Sequence, residues 1–288
     1  MPDAELAGKN AIVTGASRGL GLAIAEALGQ AGANLLLVAR SAEALAETRH
    51  RALAAGAPEA HIFPADLEQN SAPEAILTEA RRGWPRLDIL VNNAAIVGPI
   101  GKLWENDWDQ WRRTIAVNLL APVALCRLAV PWMAQTGGGT IINLSGGGAT
   151  KARPHFSAYG TAKAALVRFS ETLAEETAAH NIRVNCVAPG AMNTAMLDAV
   201  LRSDPEAAGA EYAQAKKQAR EGGASPELAA ELCVLLASKR SAGITGKLIS
   251  AVWDPWRKLT NHADDLRNSD IYTIRRILPA DRGKNWNE

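Results

Sequence analysis

Two side chains with complementary acid–base chemistry, Tyr159 and Lys163, belong to the segment Tyr159-Gly160-Thr161-Ala162-Lys163. On a helix this spacing places both side chains on one face, about one turn apart. A phenol with a pKa near ~10 is a poor base at neutral pH, but a nearby ammonium stabilises the phenolate and lowers that pKa. Tyr159 can then donate a proton to a developing alkoxide or remove one from an alcohol. Because Tyr–Lys pairs also occur on protein surfaces without any function, the pair needs a second feature beside it.

A glycine-rich turn is that second feature. Residues Thr14–Gly21 read Thr-Gly-Ala-Ser-Arg-Gly-Leu-Gly and separate a short apolar run from a helical pattern. Glycines in this setting permit a tight turn and close backbone approach to a pyrophosphate, while the helix N-terminus offers free N–H groups. The predicted dinucleotide contacts here are Gly15, Ser17, Arg18, Gly19, Leu20 and Gly21. A helix start that binds nothing is the alternative, and the strand–turn–helix setting disfavours it.

The residue after the second apolar run bears on which dinucleotide binds. NAD-binding proteins usually place Asp or Glu there for the ribose hydroxyls, whereas this chain has Arg40. Arg18 in the glycine turn can approach the same place, and two guanidiniums suit the 2′-phosphate of NADP(H). The sequence therefore favours NADP(H), with NAD(H) as the other candidate and two solvated arginines as the alternative interpretation.

The elements that must position these residues alternate along the chain. Short runs rich in Val, Ile and Leu predict strands, and Ala/Leu/Glu-rich stretches between them predict helices. The predicted strands are Asn10–Thr14, Asn34–Ala39, His61–Pro64, Asp88–Asn92, Thr140–Leu144, Arg183–Ala188 and Lys247–Val252. The predicted helices are Gly19–Gln30, Ala42–Ala55, Pro73–Arg82, Trp108–Ala134, Ser157–His180 and Pro226–Ala237. This order predicts an α/β fold of Rossmann type: a doubly wound parallel sheet of about seven strands with helices on both faces.

Together these residues resemble the short-chain dehydrogenase/reductase family over about residues 8–250. The resemblance rests on Thr14–Gly21, Asp66, Asn92-Asn93-Ala94-Ala95, Asn118, Tyr159 with Lys163, and Pro189-Gly190 with Thr194, all in family order. It implies that Lys163 also holds the nicotinamide ribose and that Asn118 passes protons from Lys163 through water. It implies further cofactor contacts at Asp66 and Leu67 (adenine), Asn92 and Ala94 (adenosine side), and Pro189, Gly190 and Thr194 (nicotinamide). Otherwise Asp66 and Thr194 are helix caps, and Asn92–Ala95 is a strand-ending turn.

One position departs from the family pattern. The family places a serine about thirteen residues before the tyrosine, and that position here is Gly146, next to Ser145 in Leu144-Ser145-Gly146-Gly147-Gly148. Either Ser145 supplies the hydroxyl, because the glycines let the loop shift by one residue, or the position is vacant and backbone N–H groups serve the substrate oxygen. Losing such a donor typically costs about 10²–10³ in rate. Ser145 joins Asn118, Tyr159 and Lys163 as a candidate catalytic residue.

Domain organisation follows from the same pattern. Residues 1–252 are predicted to form one NAD(P)-binding catalytic domain, and residues 253–288 a polar C-terminal extension. The extension carries the tryptophans Trp253, Trp256 and Trp286. We expect it to pack on the domain or on a neighbouring subunit, either as simple interface packing or as cover for a substrate mouth. In the resembling family the segment Met192–Gly223 folds over the substrate.

Composition narrows the class of protein. The chain of 288 residues is 48% hydrophobic and 21% charged with a net charge of +1, so it is predicted to be globular and to attract neither nucleic acid nor an acidic membrane surface. The sequence has no uninterrupted apolar stretch of about 18 residues, so it predicts no membrane span. Three widely spaced cysteines (Cys126, Cys186 and Cys233) indicate neither a disulfide framework nor a metal site and suit the cytoplasm.

The sequence thus predicts a cytoplasmic oxidoreductase that interconverts a small-molecule alcohol and a carbonyl with NAD(P)(H), using Tyr159 as acid/base. The resemblance implies a homodimer or homotetramer paired through long helices. A cofactor-binding regulatory or scaffolding protein with weak or lost catalysis is the alternative, and Gly146 is the feature that favours it. Neither the substrate nor the direction of reaction follows from the sequence, because one fold serves many substrates.

Overall fold

Seven short strands pair side by side into one parallel sheet in the computed structural model, which describes residues 4–286. The strands are β1 (Asn10–Thr14), β2 (Asn34–Ala39), β3 (Ala60–Pro64), β4 (Ile89–Asn92), β5 (Gly139–Leu144), β6 (Ile182–Ala188) and β7 (Leu248–Ser250). Their spatial order is β3-β2-β1-β4-β5-β6-β7. Every residue of β1 and β4 is buried, which explains why these runs are apolar without alternation. The predicted doubly wound sheet is confirmed.

Helices connect the strands and cover both faces. The α-helices of the described residues are α1 (Gly19–Gln30), α2 (Ala42–Ala55), α3 (Ala72–Gly83), α4 (Trp108–Ile115), α5 (Ala121–Gln135), α6 (Ser157–Glu176), α7 (Ala195–Arg202), α8 (Pro205–Ala208), α9 (Ala210–Glu221), α10 (Pro226–Ala237) and α11 (Ala263–Arg267). Short 3₁₀ helices lie at Leu103–Glu105, Ala178–His180, Lys239–Ser241, Trp256–His262 and Pro279–Arg282. The six predicted helices are present, whereas α7, α8, α9 and α11 had no separate prediction.

The predicted continuous helix Trp108–Ala134 is interrupted. A π-helical turn, Ala116–Leu120, joins α4 to α5 and contains Asn118. Such turns insert one extra residue per turn and often occur at functional sites. The sequence did not predict it, because Ala116–Leu120 contains no Gly or Pro that would mark a break in the helical pattern.

The sheet separates two apolar cores. Val13 and Leu37 face a core shared with α1, α2 and α10, while Ile12 and Leu36 face a second core shared with α3, α5 and α6. Adjacent residues of one strand point to opposite faces, so each buried strand serves both cores. This sandwich holds the strand ends in place, and the loops that follow them can carry the functional groups.

The connection between strands reverses direction at the pair β1 and β4. The chain runs outward from β1 through β2 to β3 and then crosses to β4 on the other side of β1. In open α/β sheets, the ligand crevice lies beyond the carboxyl ends of the strands, at the point where the strand order reverses. The glycine turn follows β1 and the segment Asn93–Ala95 follows β4, so both lie at this crevice.

The segment Trp108–Gln135 is long and apolar enough by composition to cross a membrane, even though Arg127 interrupts it. Its residues Leu125, Cys126 and Met133 are fully buried against the sheet. Core helices of soluble proteins have the same composition, so this feature is weak evidence for a membrane segment.

The C-terminal extension, described to residue 286, runs along the last strand of its own chain. The indole N–H of buried Trp256 donates to the Ala251 carbonyl at 2.9 Å, and Leu248 N–H donates to the Tyr272 carbonyl at 2.8 Å. Further along, Ile274 N–H donates to a Glu171 carboxylate oxygen on α6 at 2.6 Å. The extension thus covers the free edge of β7 and part of α6.

Candidate active site

Tyr159 and Lys163 lie on the first two turns of α6 and face the sheet. Tyr159 is 7% exposed and Lys163 is 2% exposed, so they do not form a solvated surface pair. Lys163 Nζ donates to the Leu144 carbonyl, at the end of β5, at 2.7 Å and lies 5.7 Å from the centre of the Tyr159 ring. The spacing of four residues therefore brings both groups together at the carboxyl end of the sheet, as the sequence predicts.

Burial is the main influence on the pKa values of this pair. Burial raises the pKa of Tyr159, and the charge that opposes this rise is that of Arg153, whose Cζ lies 5.6 Å from the ring centre. Burial also lowers the pKa of Lys163 to about 8. Lys163 has no resolved effect on the pKa of Tyr159 in the protein without a cofactor, and the expectation that it lowers this pKa stays a prediction. At neutral pH Tyr159 is a protonated phenol.

Gly146 is the residue that faces the tyrosine hydroxyl. A Cβ at position 146 would lie 2.4 Å from the Tyr159 oxygen and 3.2 Å from the ring, so the phenol occupies the space where a side chain would begin. Ser145 continues β5, and its N–H donates to the Val187 carbonyl at 2.8 Å. The Ser145 hydroxyl is buried and has no partner among residues 4–286. A direct role for Ser145 stays a prediction.

Asn118 connects the π-turn to the loop after β4. Its Oδ1 accepts from Ile96 N–H at 2.9 Å, and its Nδ2 donates to the Ile96 carbonyl at 2.8 Å. Both polar atoms of this fully buried side chain are therefore engaged. The proton relay that the family resemblance implies would have to involve the main chain of Asn118, and it stays a prediction.

The glycine turn fits a dinucleotide phosphate. Gly15 has a φ of +64°, and a Cβ there would lie 2.7 Å from Ala94 Cα, so only glycine lets β1 and the loop after β4 approach so closely. Helix α1 begins after Arg18 with no side-chain cap and no acidic residue in its first turn. Its first N–H groups are therefore available to an anion. Gly19 at this end is exposed, while Leu20 and Gly21 are buried and Ser17 is half-buried.

Asn93 holds this turn, and the sequence interpretation did not assign it a role. Its Nδ2 donates to the carbonyls of Thr14 and Gly15 at 3.0 and 3.1 Å. In return, Thr14 Oγ1 accepts from the N–H groups of Asn93 and Ala94 at 3.0 and 3.2 Å. The sequence signal that could have indicated this role is the position of Asn93 within the segment Asn92-Asn93-Ala94-Ala95. Asn93 positions the glycine turn against the neighbouring strand.

The side chain of Asn92 turns the other way. It is 2% exposed, and its Nδ2 donates to Asn143 Oδ1 at 2.8 Å inside the core. Adjacent residues at a strand end face opposite sides, so the side chain of Asn92 cannot reach the crevice. The predicted contact of Asn92 with a cofactor would therefore have to come from its main-chain atoms.

The end of β6 lies across the crevice from the glycine turn. Thr194 caps α7 by accepting from Met196 N–H at 3.4 Å, and its Cγ2 lies 3.6 Å from where a Cβ of Gly19 would be. Pro189 is buried, and Gly190 packs against the side chain of Val252. The predicted pyrophosphate and nicotinamide segments therefore face each other.

The adenine side of the crevice carries the predicted charges. Arg18 and Arg40 are both exposed, and neither has a side-chain hydrogen bond or ion pair within the described part of the chain. Asp66 Oδ1 accepts from Glu68 N–H at 3.1 Å, so this residue stabilises a turn, while the side chain of Leu67 is buried in the core. Any Leu67 contact with adenine would come from its main chain.

An apolar cover lies over the tyrosine. Helices α7, α8 and α9 pack on Tyr159 through a cluster with half-buried neighbours from the loop after β4. The cluster comprises Phe156, Tyr159, Val200, Ala208 and Ala215, flanked by Val97, Ile100, Met196, Leu197, Leu201 and Tyr212. The predicted covering segment Met192–Gly223 thus forms three helices beside the candidate acid.

Comparison with known proteins agrees with this geometry. The chain matches the short chain dehydrogenase family over residues 9–205. It is 38% identical over 206 residues to 3beta-hydroxysteroid dehydrogenase 1 of Eggerthella lenta, covering 70% of this chain and 77% of that protein. It is 34% identical over 278 residues to the short chain dehydrogenase mpl6 of Monascus purpureus, covering 94% of this chain and 89% of that protein. The chain belongs to the short-chain dehydrogenase family.

A solved structure supports the same assignment. The RhlG/NADP active-site complex of Pseudomonas aeruginosa matches 87% of this chain and 97% of that one, with a TM-score of 0.75 and 31% identity. As a short-chain dehydrogenase the protein is an oxidoreductase that binds NAD(P). The cradle around Gly15, the open start of α1 and the unpaired arginines are consistent with such a cofactor. The match to mpl6 covers so much of the chain that it includes part of the C-terminal extension.

Proposed function

We propose that this short-chain dehydrogenase interconverts an alcohol and a carbonyl, with Tyr159 as the proton donor and acceptor. The observation that carries the proposal is the buried Tyr159 hydroxyl against Gly146, at the end of β5, with Lys163 on the next turn of α6. The glycine turn and the β6 end face each other across the adjacent crevice. Acid/base group and dinucleotide cradle thus meet at one edge of the sheet.

The cofactor, when bound, supplies or accepts a hydride, which carries two electrons and one proton. The protein then has to move one further proton to or from the substrate oxygen. Tyr159 with its raised pKa is protonated at neutral pH, so it is prepared to donate to the oxygen of a carbonyl as that oxygen becomes an alkoxide. In reduction the resting phenol would therefore be the proton donor. In oxidation, the phenolate form of Tyr159 would accept the proton of the substrate hydroxyl.

We propose NADP(H) as the preferred cofactor. Arg18 and Arg40 are exposed at the adenine side and make no ion pair with any residue from 4 to 286, so both guanidiniums are available to a 2′-phosphate. Bidentate arginine–phosphate bonds are among the strongest charge-assisted contacts in proteins. The P. aeruginosa structure was solved with NADP.

The proposed substrate is a small molecule with an apolar body next to the reacting carbon. The cluster on α7, α8 and α9 presents aliphatic side chains and Phe156 to Tyr159. Such a wall favours apolar surface over a polyhydroxylated chain, because hydroxyls buried there would find few partners. The E. lenta relative is named for a 3β-hydroxysteroid, a secondary alcohol on a large apolar frame.

A panel of ketones and alcohols with both cofactors, followed by absorbance of the reduced nicotinamide, tests the proposal. We expect Tyr159→Phe to lower turnover by about 10²–10⁴ while NADP(H) still binds, because one acid/base group typically contributes that factor. Tyr272→Phe, in the C-terminal extension, is the control and should retain the wild-type rate. Turnover of Tyr159→Phe near the wild-type rate would refute the mechanism.

A second candidate is a cofactor-binding regulatory or scaffolding protein with weak catalysis. The observation that favours it is Gly146, which leaves the position facing the Tyr159 hydroxyl without a side chain. Tight NADP(H) binding, with no turnover across the whole panel, would select this candidate.

Oligomeric state and compartment belong to the proposal as well. We propose a cytoplasmic homodimer or homotetramer. Trp108 and Leu120 on the α4–α5 segment are 61% and 57% exposed, so this segment offers apolar side chains that a second subunit could cover. Light scattering with size-exclusion chromatography measures the mass of the particle in solution. A monomer at micromolar concentration would refute the proposed homo-oligomer.

A further inference from the structure

Arg153 joins three parts of the active site that are distant in sequence. It belongs to the loop between β5 and α6, and its guanidinium Cζ lies 4.0 Å from the centre of the Phe156 ring and 5.6 Å from that of Tyr159. Its Nη2 donates to Glu211 Oε2 on α9 at 2.8 Å. One cation therefore contacts the tyrosine on one side and the apolar cover on the other.

The glycine loop lies alongside the Arg153 side chain. A Cβ at Gly147 would lie 3.7 Å from Arg153 Nη1, and one at Gly148 would lie 3.4 Å from Arg153 Cβ. The arginine thus lies along the loop that carries Gly146, the residue beside the tyrosine hydroxyl. The side chains of Arg153 and Glu211 keep 22% and 30% of their exposure, so solvent screens the pair only in part.

Several ionisable groups lie in the elements packed around Tyr159. Lys163 lies on the same helix, Tyr212 belongs to the same apolar cluster on α9, and His155 in the loop packs its ring against Gly209. Among these and the Arg153–Glu211 pair, the charge with a resolved effect on Tyr159 is that of Arg153, which lowers the pKa that burial raises. Glu211 is the carboxylate that neutralises this charge.

We propose that Arg153 is a positioning residue for Tyr159, and that Glu211 on the cover helix α9 controls how much of the Arg153 charge acts on the tyrosine. The inference deepens the proposed function and rests on it. The two residues form one ion pair but oppose each other electrostatically, because Arg153 stabilises the phenolate and Glu211 stabilises Arg153. Movement of α9 away from the site would separate the pair and leave the tyrosine beside an uncompensated cation.

The opposing effects of the two residues distinguish this proposal from a purely structural role of the ion pair. Arg153→Gln and Glu211→Gln both break the ion pair, so a purely structural role predicts the same change in activity for both variants. The proposal predicts opposite changes in the pH at which kcat/KM for carbonyl reduction falls: upward in Arg153→Gln and downward in Glu211→Gln, each by about one pH unit. Arg153→Lys keeps the charge and should stay near the wild-type profile. Glu221→Gln, on the same helix but in an exposed pair with Lys217, is the matched control.

A second measurement does not require a substrate. The chain has 3 tyrosines, so protein labelled with ¹³C at the phenol ζ carbon, in complex with NADP⁺, gives three NMR signals, and the one lost in Tyr159→Phe is that of Tyr159. Its titration midpoint should move up in Arg153→Gln and down in Glu211→Gln. Shifts in the same direction, or none in either variant, would overturn the proposal. If the wild type turns over no substrate while these opposite shifts are seen, the proposed function fails and the pairing stands.

Discussion

Replacing Gly146 with serine tests the most unusual feature of this site. The family resemblance places a serine at position 146, and on that pattern alone a serine there would add a hydrogen-bond donor for the substrate oxygen. The geometry predicts the opposite. The new Cβ would lie 2.4 Å from the Tyr159 oxygen, well inside the 3.4–4 Å of an ordinary contact. The phenol would therefore have to retreat by about 1 Å, and its burial under the apolar cover leaves little room for that.

The size of the effect follows from that displacement. A misplacement of about 1 Å in a reacting group can cost about 10² in rate. We expect kcat/KM of Gly146→Ser and of Gly146→Ala to fall by about 100-fold, with the dissociation constant for NADP(H) within about twofold of wild type. Cofactor binding is followed by quenching of tryptophan fluorescence, and turnover by nicotinamide absorbance. Equal losses in both variants would show that the added Cβ carbon, which serine and alanine share, lowers the rate, and that the serine hydroxyl does not.

Gly147→Ser is the matched control. A Cβ at position 147 meets nothing nearer than Arg153 Nη1 at 3.7 Å, an ordinary contact, so this variant should keep most of its activity. The reasoning fails if Gly146→Ser reaches or exceeds the wild-type rate. That result would mean that Tyr159 yields without loss and that the hydroxyl takes up the role that the family gives it.

Three further predictions concern cofactor, pH and stability. Arg18→Ala and Arg40→Ala should each weaken NADP⁺ binding about 10–100-fold and change NAD⁺ binding little, since a charge-assisted phosphate bond contributes about 1.5–3 kcal/mol; equal effects on both cofactors in a binding titration would contradict the assignment. The pKa of Lys163 is lowered from 10.5 to about 8, so the unfolded chain binds its proton more tightly and the stabilising contribution of Lys163 rises as pH increases from about 8 to 10.5. In urea unfolding, wild type should therefore gain about 3 kcal/mol over Lys163→Met across that range, and parallel curves would argue against a buried ammonium. Trp256→Ala should cost about 3–5 kcal/mol of unfolding free energy and Trp253→Ala less than about 0.5, because the first is buried and the second 83% exposed; equal costs would show that the extension does not pack as described.

Much of the fold could be predicted because its signals are local. The strands of a sheet covered on both faces are continuous apolar runs, and the helices between them carry their own composition. The four-residue spacing of Tyr159 and Lys163 depends on helix geometry alone, and the glycines of Thr14–Gly21 indicate a tight turn before a helix. These predictions needed no knowledge of distant neighbours.

The rest was decided by contacts between residues far apart in the chain. Asn92 and Asn93 are identical in type, yet one faces the core and the other the crevice, because they lie on opposite sides of a strand end. The pKa of Tyr159 depends on burial under α7–α9 and on Arg153, neither of which its helical spacing reveals. The apposition of Gly146 and the tyrosine hydroxyl likewise exists only once β5 and α6 have packed. Sequence alone determined which groups this protein has and the elements that carry them; tertiary packing decided which groups touch and what charge each one experiences, since burial and proximity are properties of the folded chain.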